Sequence, residues 1–299
     1  MSITATRFAT QIRTWLLIAA LTALLIVIGA AIGGGALYIF VALAVLMNVA
    51  GYWFSDKLAL AASRARPLEK GEIPELEEIA ADLARRAGVP MPRLYLIGSE
   101  QPNAFATGRN PAHAAVAVTD GLLNHLPAEE VRGVLAHEFA HISNRDILVS
   151  SIAAMVAGAV SAIATVMQFS LLFGGGGDDD ESPLGLIGTL VAIIVAPIAA
   201  TLLQLGVSRQ REYLADATGA KLLGHAAPLA DALETLERGS EAIPMNVNPA
   251  MASMYAVNPL PRRGIATLFA THPPIAERVR RLRALDARRD GERVVALAA

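Results

Sequence analysis

"LAHEFAHISNRD", residues 135–146, is followed at once by residues 147–173, which carry no charge. Two histidines and a glutamate suited to metal chemistry therefore stand against an apolar run of 27 residues. About 20 residues of helix suffice to cross the hydrocarbon core of a bilayer. How these two features fit together decides the fold.

His137 and His141 are four apart on a predicted helix, about 40° apart around its axis, so both imidazoles can reach one tetrahedral ion. Glu138 takes the second position of the HExxH pattern, where glutamate accepts a proton from water rather than binding the metal. The chain has no cysteine, so any further ligand must be His, Glu or Asp. The extended pattern HExxHxxGxxH is excluded, because residue 144 is Asn and residue 147 is Ile. Asp146 follows His141 by five residues, about 140° round a continuous helix, and is expected to point away.

The 299 residues are 54% hydrophobic and 17% charged, with a mean hydropathy of +0.46, too apolar for an ordinary soluble protein of this size. A net charge of −2 lacks the basic excess of a nucleic-acid binder. Four uncharged runs reach spanning length, at 15–32, 36–54, 147–173 and 184–207. Gly33–Gly35 joins the first pair and the acidic "GGGGDDDESP", residues 174–183, the second, so each pair reads as a helical hairpin. Arg7 and Arg13, Lys57 to Lys70, Arg132 and Arg145, and Arg209 to Lys221 flank the runs, and neither hairpin loop has a basic residue. By the positive-inside rule both termini and both polar segments face the cytoplasm. The first run, 18 residues long, exceeds a signal-peptide core and is expected to be a retained span.

The chain thus divides into a transmembrane hairpin (1–54), a polar segment with the HExxH helix (55–146), a second hairpin (147–207) and a second polar segment (208–299). Neither polar segment holds a complete metal site, so the two are expected to form one catalytic domain split in sequence. The expected fold is a mainly α membrane protein: four transmembrane helices in two hairpins, plus a cytoplasmic zincin-like α+β domain. Residues 74–87 predict a helix with Leu76, Ile79, Leu83 and Ala87 on one face. Residues 93–97 and 114–118 predict strands separated by a turn-rich stretch. Helices are expected near 208–223, 228–238 and 274–289, and the HExxH helix is free to continue into the third span.

A third ligand must come from across the second hairpin. "SRQREYLADATGAKLL" offers Glu212 and Asp216, again four apart. Alone they read as a solvated face paired with Arg209 and Arg211. An up-and-down hairpin, however, returns the chain to the membrane face it left. It delivers Glu212 near the histidines, with Asp216 one turn on, able to orient a ligand histidine through its other ring nitrogen.

"PNAFATG", "HEFAH" with "NRD" after it, "SRQREYLAD" and "THPPIAERVRRL" occur in this order around the four runs. That series resembles the HtpX family of membrane-integrated zinc metalloproteases and, more distantly, the CAAX prenyl proteases. The resemblance implies one zinc per chain held by His137, His141 and Glu212, with Glu138 as catalytic base and Asp216 orienting a ligand. It also implies Asn103 beside the substrate, and His272 and Arg278 stabilising the oxyanion. It further implies membrane-protein substrates, misfolded or damaged, cut at the cytoplasmic face of the inner membrane in a stress response. Trimming of prenylated CAAX peptides is the alternative in the same reaction class. A silent scaffold or a transporter is the alternative outside it; transport usually leaves ionisable groups at mid-membrane depth, and none of the runs contains one. The partners expected are the lipid bilayer and membrane-protein substrates, with no nucleic acid; nothing in the chain sets an oligomeric state.

Overall fold

The computed structural model describes residues 35–152, 209–247, 249–260 and 273–297, with scattered helical positions between 12 and 30. Helix α1, Ala36–Ala62, is followed by strand β1, Arg66–Pro67, and helix α2, Pro74–Ala87. Strands β2, Arg93–Ile97, β3, Ala104–Thr107, and β4, Ala115–Thr119, come next. Helices α3, Asp120–His125, α4, Ala128–Asn144, α5, Arg209–Leu223, α6, Ala227–Ala242, and α7, Ile275–Leu297, complete the order, with a 3-10 helix at Pro249–Met254.

The sheet has the order β1-β2-β4-β3. β2 and β4 run parallel, and β3 lies antiparallel to β4 at the edge. β3 falls within the stretch expected to be turns. It is only four residues long, between Asn103 and Gly108, too short for an alternating pattern to register. β4 is shifted by one residue from the expected 114–118, because the polypeptide first makes a 3-10 turn at Pro111–His113, capped by the Asn110 side chain.

α2 forms where its apolar spacing predicts. Pro74 opens it, and Gly88 in the left-handed region closes it, with Arg85 and Arg86 in the last turn. Leu76, Ile79 and Leu83 are buried in the main core with Val134, Leu135, Phe139, Leu229 and Leu233. α4 is the centre of that core: ten of its residues are buried, from Val131 to Ile142.

α5 and α6 pack on α4, and glycines permit the approach. A Cβ on Gly133 would stand 2.7 Å from the backbone of Pro228 at the start of α6, and one on Gly219 3.2 Å from the backbone of Ala136 and His137. Gly133→Ala is therefore expected to cost about 1–3 kcal/mol through forced separation of α4 and α6. Chemical denaturation checks this; a variant as stable as the parent would show that the contact can relax.

α4 does not continue into the following apolar run. It stops at Asn144, Arg145 adopts φ +63°, and a new helical segment starts at residue 147. Of the expected spans, 153–173 and 184–207 lie outside the described residues, as does the acidic loop between them. Among the described residues no helix is long and apolar enough to cross a membrane. α1 exposes Tyr38, Ile39, Val45, Leu46 and Trp53, and its Asn48 donates to Thr22 Oγ1 at 2.7 Å, holding the second expected run beside the first.

Candidate metal centre

The two HExxH histidines leave α4 side by side, with their Nε2 atoms 3.1 Å apart. Glu212, in the first turn of α5, places Oε2 3.6 Å from His137 Nε2 and Oε1 3.7 Å from His141 Nε2. Among the described residues these three form the group able to hold a metal ion, every ligand atom lying within 4.8 Å of the others. A tetrahedral zinc with bonds of 2.0–2.1 Å separates its nitrogen ligands by about 3.3 Å. Two imidazoles and a carboxylate at these separations fit zinc.

Both remaining ring nitrogens face carboxylates. His137 Nδ1 is 3.0 Å from Asp216 Oδ1, and His141 Nδ1 is 3.2 Å from Asp146 Oδ2. An ionised carboxylate only accepts hydrogen bonds, so each Nδ1 is a proton-bearing nitrogen, which leaves Nε2 as the atom that would meet a metal. The Asp216 contact joins the α4 and α5 parts of the site. The Asp146 contact does not follow from the sequence: the 140° displacement holds only on a continuous helix, and the left-handed turn at Arg145 ends that helix and swings Asp146 back onto His141.

Arg278, on α7, is fully buried against the same cluster. Its Nε donates to Asp216 Oδ2 at 2.9 Å, its Nη2 to Asp216 Oδ1 at 2.7 Å and its Nη1 to Ala256 O at 3.1 Å. Nη2 also stands 3.3 Å from both ring nitrogens of His137. These bonds join Arg278 to Asp216 and the backbone, and its Nη1 is also 3.9 Å from Glu212 Oε2; the oxyanion role expected of it rests on the resemblance. Its expected companion in that role, His272, lies outside the described residues.

Asn103, expected beside a substrate, stands just ahead of β3. It is fully buried, donating from Nδ2 to Val257 O at 2.7 Å and accepting at Oδ1 from Ala104 N at 3.1 Å and Val257 N at 3.3 Å. With Ala256 N donating to Ala104 O at 2.9 Å, it fastens the segment after the 3-10 helix along the free edge of β3. Ser253 and Met254, at the end of the 3-10 helix, and Tyr255 and Ala256 just after it help enclose a cavity of about 20 Å³ beside His137, Glu138, His141 and Glu212, room for about one water molecule. Only the irregular Asn/Pro/Met composition of residues 244–264 hinted at this wall.

Electrostatics follow the packing. Glu138 is buried, and burial raises its pKa against the pull of His137, His141 and a backbone hydrogen bond from Ala106. Burial lowers the pKa of His141, but the charge and hydrogen bond of Asp146, with Glu212 and Glu138, reverse this and leave it at about 9. For His137, burial and the Arg278 charge act downward, while hydrogen bonds to Asp216 and Glu212 outweigh them. Asp216 is pushed upward by burial yet held at about 2, chiefly by Arg278. A site this rich in balanced charge is a strong candidate for acid–base chemistry.

Comparisons with known proteins agree with the geometry. The model of peptidase family M48 matches residues 71–286. A "Protease HtpX homolog" of Pelotomaculum thermopropionicum is 52% identical over 278 residues, 92% of this chain and 99% of that one. A protein of the same name from Syntrophobacter fumaroxidans is 53% identical over 280 residues, again 92% and 99%. Among solved structures, the crystal structure of S. mikatae Ste24p aligns with a TM-score of 0.50 at 24% identity, over 93% of this chain and 67% of that one, a likeness of fold. On the match across residues 71–286 and the identity to these relatives, the chain belongs to peptidase family M48.

Proposed function

We propose that the chain is a membrane-embedded zinc endopeptidase that hydrolyses peptide bonds of misfolded or damaged membrane proteins at the cytoplasmic face. In this reading His137, His141 and Glu212 hold the metal. The observation that carries it is the cavity of one water's size in which two imidazole Nε2 atoms, the Glu212 carboxylate and Glu138 converge.

A bound zinc ion supplies Lewis acidity, lowering the pKa of a water and polarising the scissile carbonyl. Glu138 takes the proton of that water on its carboxylate and passes it to the nitrogen of the leaving amine as the C–N bond breaks. Burial raises its pKa, the direction that helps a carboxylate hold a proton before handing it on. Asp216 keeps the Nδ1 proton of His137 in place. Arg278 anchors Asp216, and the oxyanion role expected of His272 rests on the resemblance.

We further infer that residues 55–146 and 208–299 make one catalytic domain interrupted by a membrane hairpin at 147–207. Packing of α5 and α6 on α4 supports this reading. The exposed apolar side chains of α1 and the Asn48–Thr22 hydrogen bond support a membrane hairpin at the start of the chain.

Metal analysis and proteolysis test the proposal together. The purified chain is expected to carry about one zinc. Glu212→Gln, with one ligand weakened, is expected to lose most of that zinc and its cleavage of an unfolded membrane protein in detergent. Mass spectrometry of products from lipidated and unlipidated peptides separates the substrate classes: selective cleavage beside a prenylated cysteine would favour the CAAX reading. A wild-type chain that binds no zinc after metal supplementation would overturn the catalytic one.

A further inference from the structure

The junction between α4 and the helical segment that follows it is built at some cost. Among the described residues Arg145 is one of two non-glycine residues with positive φ, a conformation that glycine adopts freely and other residues resist. Asp146, next in line, is 2% exposed, and its Oδ1 has no hydrogen-bond partner among the described residues. Buried carboxylate oxygens without partners are unfavourable, and natural chains seldom keep two such features side by side without a use.

The turn has one consequence for the metal centre. Arg145 N donates to Ile142 O at 3.1 Å and Asp146 N to His141 O at 3.2 Å, a Schellman-type closure that tucks the chain under the last turn of α4. That closure carries Asp146 Oδ2 to 3.2 Å from His141 Nδ1. Asp146 also stands at the start of the next helical segment, where Ser150 N donates to its carbonyl at 3.3 Å. A negative charge is favoured at such an N-terminus, which offsets part of the cost of burying this one.

We propose that Asp146 is a positioning residue for His141, holding its Nδ1 proton so that Nε2 faces the metal, as Asp216 does for His137. The two ligand histidines are then oriented from opposite sides, one by a carboxylate on α5 and the other by the turn that ends their own helix. The inference rests on the reading of His141 as a metal ligand. It adds that the exit of α4, directly ahead of the expected third span, belongs to the metal centre.

A capping role alone would produce the same burial, so the test must separate the two. Asp146→Ser preserves an N-terminal cap but cannot reach the imidazole; Asp146→Asn keeps the size and removes the charge. Zinc affinity of the full-length chain in detergent, measured by competition with a chromophoric chelator, is expected to fall about 10–100-fold in Asp146→Ser, and less in Asp146→Asn. Thermal unfolding of the metal-free Ser variant is expected to match the parent. Arg145→Gly, which favours the same turn, is expected to keep zinc affinity within about twofold of wild type. Both Asp146 variants binding zinc within twofold of wild type would overturn the proposal, as would Arg145→Gly losing as much affinity as Asp146→Ser. A wild-type chain without zinc affinity in the same titration would sink the proposed function instead.

Discussion

Glu138→Gln is expected to lower kcat by about 10³-fold, within the range that a positioned general base supplies, while zinc content stays at wild-type level. Glutamine has the size of glutamate and can keep a hydrogen bond to Ala106, but it cannot accept a proton from water. Glu138 is not among the three residues whose ligand atoms converge within 4.8 Å, so its loss leaves the metal held. The wild-type pH profile carries a related signature. Burial lifts the Glu138 pKa above its ordinary value, so activity is expected to fall on the acid side at a higher pH than an ordinary carboxylate would give, and the Gln variant is expected to lack that limb. Cleavage by the Gln variant at the parent rate, with zinc retained, would remove Glu138 from the chemistry.

Where the chain is locally regular, the sequence reading and the structure coincide. The 3.6-residue period of α2 and the HExxH spacing on α4 are short-range properties, and the buried Leu76, Ile79, Leu83, His137 and Glu138 follow from them. Glu212 and Asp216 were expected beside the histidines from the return of a hairpin, most of whose residues lie outside the described ones, and the structure brings both to the histidines. Three features were not legible, each for a geometric reason. Asp146 departs from its expected direction because α4 stops at Arg145, whose left-handed conformation has no sequence signal comparable to glycine. β3 was missed because four residues are too few for periodicity. Arg278 lies 62 residues from Asp216, and only a resemblance singled it out. Gly133 and Gly219 were likewise silent, since a close helix approach shows only when the helices are placed.

Arg278→Met is expected to destabilise the protein by about 3–5 kcal/mol, the cost of leaving one member of a buried ion pair alone. Arg278 grips both oxygens of Asp216 in the bidentate geometry that suits guanidinium, and both side chains are at most 5% exposed. Methionine fills comparable volume, so the loss comes mainly from the stranded Asp216 charge. The pH dependence supplies a sign to check. In the parent, Asp216 titrates at about 2, below the roughly 3.9 of an unfolded aspartate. Its contribution is therefore fully present above about pH 4 and is lost as pH falls toward 2. Without Arg278, burial is opposed by His137 alone and the Asp216 pKa moves upward, so the variant's deficit should shrink as Asp216 is neutralised by acid. Removing the stranded charge genetically has the same logic. The double variant Arg278→Met with Asp216→Asn is expected to regain much of the stability lost in the single one, a non-additivity typical of direct partners. It should not regain zinc affinity to the same degree, because asparagine is a weaker acceptor for His137 Nδ1 than the carboxylate it replaces. Denaturant titrations of the parent and the two variants from pH 3 to 7 measure stability, and competition with a chromophoric chelator measures zinc affinity. A single variant as stable as the parent at pH 7, or a double variant no more stable than the single, would show that Arg278 does not act through Asp216.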